Sequence, residues 1–240
     1  MLTPLEWTIA VVITFVASVV QGTIGFGLGV MSAPLLTLVN PVLTPVPQLM
    51  LSVPLAIGTA WREWAKVDRA GLGWITLGRV PGAIAGTWIV TQVTERTLGI
   101  VIAIVVLAAV AATNSGRVVP INTYSRFGAG LTAGFTGTTS GIGGPPIALL
   151  YRAADPETAR SSVGAALALG LAVNLTTLGV AGAIAVSDVV VTAWLLIPTM
   201  LGFAASGPLR AIVRATGFKR AVLMISALAA VFLLIRSLAG

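Results

Sequence analysis

The sequence contains no cysteine and no histidine, and only 9% of its 240 residues are charged. Without cysteine there is no disulfide, no thiol nucleophile and no thiolate metal site, and without histidine the commonest general base is missing. No acid–base pair, metal-ligand cluster or serine–histidine pair can be assembled from the other polar residues. An enzyme is therefore disfavoured, and no cofactor or metal site is expected.

Acidic side chains are scarce as well, and their positions are informative. All seven lie at or near the ends of apolar segments, at Glu6, Glu63, Asp68, Glu95, Asp155, Glu157 and Asp188. The interior of those segments offers no carboxylate for a proton relay, although coordination of Na⁺ by carbonyl and hydroxyl oxygens stays open.

Apolar residues, in contrast, make up 57% of the chain, and the mean hydropathy is +1.02. Most apolar segments are long enough, at 1.5 Å per residue, to span a bilayer core of about 30 Å. The sequence predicts an all-α membrane protein with the lipid bilayer as a partner, and the first segment is interpreted as a retained helix rather than a signal peptide. The segments are 5–22, 27–39, 43–61, 71–93, 97–113, 127–139, 145–151, 161–185, 188–209 and 219–238.

Two glycine-rich runs interrupt this pattern, one at residues 21–29 (QGTIGFGLG) and one at 136–146 (TGTTSGIGGPP). Glycine and proline are poor in helix interiors, and non-helical backbone at membrane depth survives only where protein covers it or where it lines a cavity. Two such breaks, about 116 residues apart, indicate two copies of one unit that meet at one site.

Other landmarks recur at a similar distance. Asp68, Trp74 and Gly82 reappear 120 residues later as Asp188, Trp194 and Gly202. We therefore predict a duplication of 1–115 and 120–240, in which each repeat holds one broken element and three ordinary spans and the two repeats form one transport domain.

Positive charge indicates how the copies are oriented. If each broken element enters and leaves the membrane on one side, as a hairpin, eleven Lys and Arg residues share the cytoplasmic side, against Arg96 and Arg236 outside. That distribution follows the positive-inside rule, so the net charge of +7 is attributed to topology rather than to nucleic acid, which is not an expected partner. Hairpins give each repeat an odd number of crossings, which predicts inverted repeats and, in a bacterial inner membrane, two periplasmic termini.

Arg79 belongs to no loop, because it lies about eight residues, or roughly 12 Å, into the segment 71–93. One interpretation is that it snorkels to the headgroups or pairs with a carbonyl, and the favoured one is that it marks a substrate path. Glycines such as Gly82, Gly86, Gly164 and Gly170 are interpreted instead as small residues for close helix packing.

The glycine runs complete a predicted anion site at the midplane. Pro145 and Pro146 suit the first turn of a short helix running to Tyr151, and Gly27–Gly29 would open the equivalent helix toward Asn40. The predicted substrate-binding residues are Gln21, Thr23, Gly25, Gly27, Arg79, Thr138, Thr139, Ser140, Gly141, Gly143, Gly144 and Pro145.

Several motifs together resemble the sulfite exporter TauE/SafE family, which is grouped with toluenesulfonate uptake permeases. They are Gly25-Phe26-Gly27, the run from Gly141 to Pro146, Val67-Asp68, and Pro81-Gly82 with Gly86. The resemblance covers nearly the whole chain and implies transport of sulfite, sulfonates or related anions.

The leading hypothesis is a transporter of a small sulfur-containing oxyanion, most simply an exporter. Alternatives left open are uptake of another small anion, a metal or cation permease, and a membrane scaffold subunit. The sequence is also compatible with a homo-oligomer.

Overall fold

The computed structural model describes residues 2–24, 28–62, 66–212 and 215–239, and every regular element in these ranges is helical. The predicted all-α class is confirmed. Six of the described helices (α1, α3, α5, α8, α9 and α10) are long and apolar enough to cross a membrane. The helices are α1 Pro4–Ile24, α2 Leu28–Val39, α3 Val46–Arg62, α4 Arg69–Gln92, α5 Glu95–Asn114, α6 Thr123–Ser140, α7 Gly144–Leu150, α8 Pro156–Val180, α9 Val186–Ile212 and α10 Ala215–Ala239, with a 3₁₀ turn at Pro41–Leu43.

Local capping signals set several of the helix starts. Asp68 accepts a hydrogen bond from a backbone N–H in the first turn of α4, and Thr94 does the same for α5. At α6, Asn122 and Ser125 form a reciprocal capping box. The segment predicted at 161–185 is displaced in the structure: α8 begins earlier because Asp155 caps it, and it ends at Val180.

Each broken element is a hairpin whose two arms begin and end on the same side. Asn40, directly after α2, donates to the Glu6 carboxylate in the first turn of α1 at 3.2 Å. In the second half, Arg126 in α6 and Tyr151 directly after α7 both bind Oδ2 of Asp68. The structure therefore has the two hairpins that the charge distribution predicted.

The hairpins pack across the two halves of the chain. α1 packs against α9 and α6 against α4, while α3 packs against α8 and α5 against α10. If α1 to α5 correspond in order to α6 to α10, the α1–α9 pair becomes the α6–α4 pair, and the other two pairs become themselves. This pattern is compatible with inverted repeats. The duplication itself stays a prediction. The largest buried apolar cluster lies where α2, α5 and α10 meet.

Glycine permits the closest helix crossings. A Cβ added at Gly82 in α4 would overlap the Leu131 carbonyl oxygen of α6, and one at Gly202 in α9 would overlap the Phe15 carbonyl oxygen of α1. Gly86 lies in the same α4–α6 crossing, where an added Cβ would be 2.8 Å from the Cβ of Thr138. The interpretation of Gly82 and Gly86 as packing residues is confirmed, since the helix backbones approach each other directly there.

Candidate anion-binding site

Arg79 is the eleventh residue of α4 and lies near the middle of that helix. Its side chain is only 1% exposed. Nε donates to Oδ1 of Asn174 at 3.4 Å, and Nη1 donates to the carbonyl oxygen of Ala166 at 3.2 Å. None of the ion pairs among the described residues involves Arg79. It is therefore a buried cation that pairs with neutral oxygens.

Three glycines make room for the guanidinium. A Cβ added at Gly170 in α8 would overlap its central carbon, and one at Gly143 would lie 2.6 Å from Nη2. Gly137 in α6 approaches Nη2 from another side, with an added Cβ at 3.2 Å. The interpretation of Gly170 as a helix-packing residue was therefore wrong, because the space left by its missing side chain holds Arg79.

A cavity of about 40 Å³ lies beside Arg79 and contacts both helix breaks. That volume is roughly the room that three water molecules need, which suits a small polyatomic ion. Arg79 is the one charged residue among the described lining residues, which also include Gln21, Gly29, Ser52, Gly137, Gly141, Gly143, Gly144, Pro145, Leu49 and Leu171.

The second break has the form that the sequence predicted. Gly141 ends α6 in the left-handed region at φ 70°, and the N–H groups of Gly141 and Ile142 bind carbonyls of the last turn. α7 then begins at Gly144, with Pro145 and Pro146 in its first turn. Because prolines lack an N–H, this short helix presents few donors to the cavity, and Arg79 supplies most of the positive charge there.

At the first break, Gln21 supports the start of α2. Its Oε1 accepts a hydrogen bond from the N–H of Leu28 at 3.1 Å, so its carbonyl oxygen joins the two arms of the hairpin. Thr23 donates to the carbonyl of Val19 at 2.7 Å. Gly25 and Gly27 lie outside the described residues.

The hydroxyl groups predicted as ligands donate to their own helix. Those of Thr138, Thr139 and Ser140 bind carbonyls four residues earlier, at 2.8, 2.9 and 2.6 Å, and none of the three residues lines the cavity. Of the predicted set, the structure brings six residues to the cavity: Gln21, Arg79, Gly141, Gly143, Gly144 and Pro145. Their role as substrate ligands stays a prediction.

The profile of the family described as Sulfite exporter TauE/SafE matches residues 10–233. The chain belongs to the TauE/SafE family. Members of the TauE/SafE family are membrane transporters of sulfur anions, so this chain is a multi-pass membrane transporter. Comparison with curated proteins gave no match, and comparison with solved structures gave none.

Two buried amides in this TauE/SafE chain escaped the sequence analysis. Gln48 in α3 and Asn174 in α8 are each 0% exposed. Asn174 orients Arg79, and its Nδ2 has no hydrogen-bond partner among the described residues. Neither polar atom of Gln48 has one there either. The available signal was an uncharged amide within each of two apolar segments.

Four helices, α4, α6, α7 and α8, are joined at Asp68. Its carboxylate accepts hydrogen bonds from Arg126 Nη2 at 2.6 Å, from the Tyr151 hydroxyl at 3.0 Å and from the Gly71 N–H at 2.8 Å, and its own N–H donates to Ser162 Oγ at 3.0 Å. Burial, the largest single influence, raises the pKa of Asp68, but the three donors together outweigh it and lower that pKa below its ordinary value. The contact therefore favours a charged carboxylate.

Proposed function

We propose that this TauE/SafE chain binds a small sulfur-containing oxyanion, sulfite or a short organosulfonate, at the midplane between its two hairpins and exports it. The observation that carries the proposal is Arg79, a cation that is 1% exposed and borders a cavity with no carboxylate among its described lining residues. A buried charge without a counter-charge is costly, and an anion in the cavity offsets that cost.

The shape of the guanidinium favours a particular class of anion. Its planar fork can donate to two oxygens of one sulfite or sulfonate group at once, which a point charge such as an ammonium cannot do. Nη2 lies against Gly143, which lines the cavity, while Nε and Nη1 are held by Asn174 and Ala166. A guanidinium has five N–H donors, and these two contacts use the one on Nε and one of the two on Nη1. The other N–H of Nη1 and the two of Nη2 are the donors that we assign to the ligand.

Export follows from the energetics of the membrane potential. With the cell interior negative, one anionic charge gains about 2.3 kcal/mol per 100 mV when it leaves. Outward movement therefore needs no coupling ion, whereas uptake would require one.

A metal or cation permease is the competing class within transport. No group of three His, Cys, Asp or Glu side chains that could hold a metal occurs within the described parts of the chain, and the charge at the cavity is positive. A scaffold subunit, the alternative outside transport, would have no use for a buried arginine beside a cavity.

The test is transport by the purified protein in liposomes. Labelled sulfite, methanesulfonate, acetate and a divalent metal are offered with an imposed potential of either sign. We expect sulfite or methanesulfonate to move toward the positive side. Metal transport alone would contradict the anion assignment, and movement indifferent to the potential would argue for electroneutral coupling.

Substitutions at Arg79 test the site itself. Arg79→Lys keeps the charge but loses the fork, and Arg79→Ala loses both, so binding should weaken in the order Lys, then Ala, by about 1.5–3 kcal/mol for the charged hydrogen bonds removed. Arg96→Ala is the matched control, because Arg96 binds backbone carbonyls at the far end of α10. Folded Arg79→Ala protein with parental anion affinity would exclude Arg79 as a ligand.

A further inference from the structure

We propose that a groove between α5, α6 and α7 holds an acyl chain of an anionic phospholipid, whose phosphate lies against Arg117 and Arg152. This inference goes beyond the proposed function, because it assigns a lipid site outside the cavity beside Arg79. It stands whether or not that cavity binds an anion.

The first observation is the size of the groove, which is about 450 Å³. Small residues leave this space open, among them Ala108 and Ala112 in α5 and Gly128 in α6. At roughly 15 Å³ for each water-sized group, the groove has room for about 30 such groups, and a methylene group is close to water in size. At least one whole acyl chain therefore fits.

The chemistry of the lining suits hydrocarbon rather than water. None of the described lining residues is charged, and those with a hydroxyl group are Ser125, Thr132 and Thr136. Each of these hydroxyls already donates to a backbone carbonyl, at 2.6, 2.9 and 2.9 Å respectively. Water in the groove would find few hydrogen-bond partners, so a lipid chain is the better occupant.

The groove is as deep as one leaflet of the bilayer. Its lining runs along α6 from Ser125 to Thr136, which is about 16 Å at 1.5 Å per residue and half of a core of about 30 Å. The deep end lies at the second helix break, where Ile142 and Pro145 line both the groove and the cavity beside Arg79. A spanning helix of a partner would run through the whole core, whereas an acyl chain ends near the middle, as this groove does.

Positive charge lies at the other end of the groove, where α5 ends, α6 begins and α7 ends. Arg117 and Arg152 are exposed, and each is two residues from a lining residue, Val119 and Leu150 respectively. Their Cα atoms are therefore within about 7 Å of the groove lining. Lys219, in the first part of α10, lies close enough to Arg152 for the two positive charges to interact.

Few carboxylates compete for these two arginines. The chain has no Asp or Glu from residue 96 to residue 154, so the segment that forms the groove carries positive charge only. Arg126 is paired with Asp68 and is not counted as a lipid ligand. Asp155 follows Arg152 closely, but its carboxylate accepts hydrogen bonds from two N–H groups in the first turn of α8.

The headgroup, and not the chain, decides which lipid binds. A chain that enters the groove moves from one hydrocarbon environment to another, so its burial distinguishes poorly between lipids. Lys and Arg at the membrane surface attract anionic headgroups, and a guanidinium can donate to two phosphate oxygens at once. The site should therefore prefer phosphatidylglycerol to phosphatidylcholine with the same acyl chains.

The experiment counts the lipids that the purified protein retains in native mass spectrometry, after reconstitution with equal amounts of these two lipids. We expect one retained lipid per chain, with about a tenfold preference for phosphatidylglycerol. Equal retention of the two lipids, or no retained lipid, would overturn the inference.

Gly128→Leu tests the groove. Nothing lies within 4 Å of a Cβ added at Gly128, so the leucine side chain enters the groove without a clash, and lipid retention should fall about tenfold. Gly73→Leu in α4 is the matched control, because its added Cβ is equally unobstructed and Gly73 does not line the groove. If Gly128→Leu instead separates a dimer and leaves lipid retention unchanged, the groove is an interface between two copies and the inference falls.

The double variant Arg117→Gln with Arg152→Gln tests the headgroup contact. It should retain lipid but lose the preference for phosphatidylglycerol, whereas Arg69→Gln, at an exposed arginine of α4, should keep it. An unchanged preference in the double variant would overturn the headgroup assignment. Should a variant fail to fold, the lipid preference of the parent protein alone still supports or overturns the inference.

Discussion

The substitution Gly170→Ala should disable the anion site while leaving the protein folded. Gly170 lies in α8, where an added Cβ would overlap the central carbon and two nitrogens of the Arg79 guanidinium. The guanidinium has little room to withdraw, because Gly137 and Gly143 border Nη2 on other sides and Asn174 holds Nε. One methyl group therefore acts directly on the position of the charge.

The magnitudes for stability and for binding differ. In a helix interior, Ala is more favourable than Gly by about 1 kcal/mol, and overpacking a core costs about 1–3 kcal/mol, so the net destabilisation is about 0–2 kcal/mol and the protein should stay folded. For the added Cβ at Gly170 and the guanidinium to be at van der Waals distance, the guanidinium must move by more than about 1 Å. A displacement of that size in a functional group can lower activity about 100-fold. We expect anion affinity to fall about 10- to 100-fold.

Calorimetry with methanesulfonate and thermal unfolding in detergent measure the two effects side by side. Gly73→Ala in α4 is the control, because nothing lies within 4 Å of its added Cβ, and it should keep parental affinity. A folded Gly170→Ala protein that binds methanesulfonate like the parent would refute the reasoning, since the guanidinium would then have another position from which it binds.

Two further predictions concern the membrane topology and the contact at Asp68. Reporters fused after Asn40 and after Gly240 should read periplasmic and one within 114–126 cytoplasmic, and a periplasmic signal from the last would contradict the hairpin topology. Asp68→Asn should lower the free energy of unfolding by about 2–4 kcal/mol by weakening the Arg126 pair. Because the folded-state pKa of Asp68 is lowered, its stabilisation is present above the ordinary carboxyl pKa and should be lost as pH falls through the lowered value, an acid-side loss of melting temperature that Asp68→Asn should lack.

The sequence predicted those features that local chemistry determines. Apolar runs, glycine breaks and proline positions are read within a single segment, so the helices, both hairpins and the start of α7 were located to within five residues, the largest difference being at α8. Arg79 was found because a charged residue inside an apolar segment can be recognised from the sequence alone.

What was missed depends on contacts between distant segments. Gln48 and Asn174 are ordinary amides until packing leaves them buried and without full partners, and Gly170 is an ordinary glycine until Arg79, from another helix, fills its space. The hydroxyls of Thr138 and Ser140 were overvalued for the opposite reason. A Ser or Thr inside a helix readily donates to the carbonyl four residues earlier, and both do so here.

The crossed packing of the hairpins has a consequence for how the chain is inserted during synthesis. α1 is synthesised well before α9, yet the glycine crossing against which it packs lies on α9. α6 finds its partner α4 already in place. The close-packing surface of the first hairpin therefore stays exposed to lipid until α9 has been synthesised and inserted. A chain truncated before α9 would retain its second hairpin docked on α4 and leave the first one without a partner.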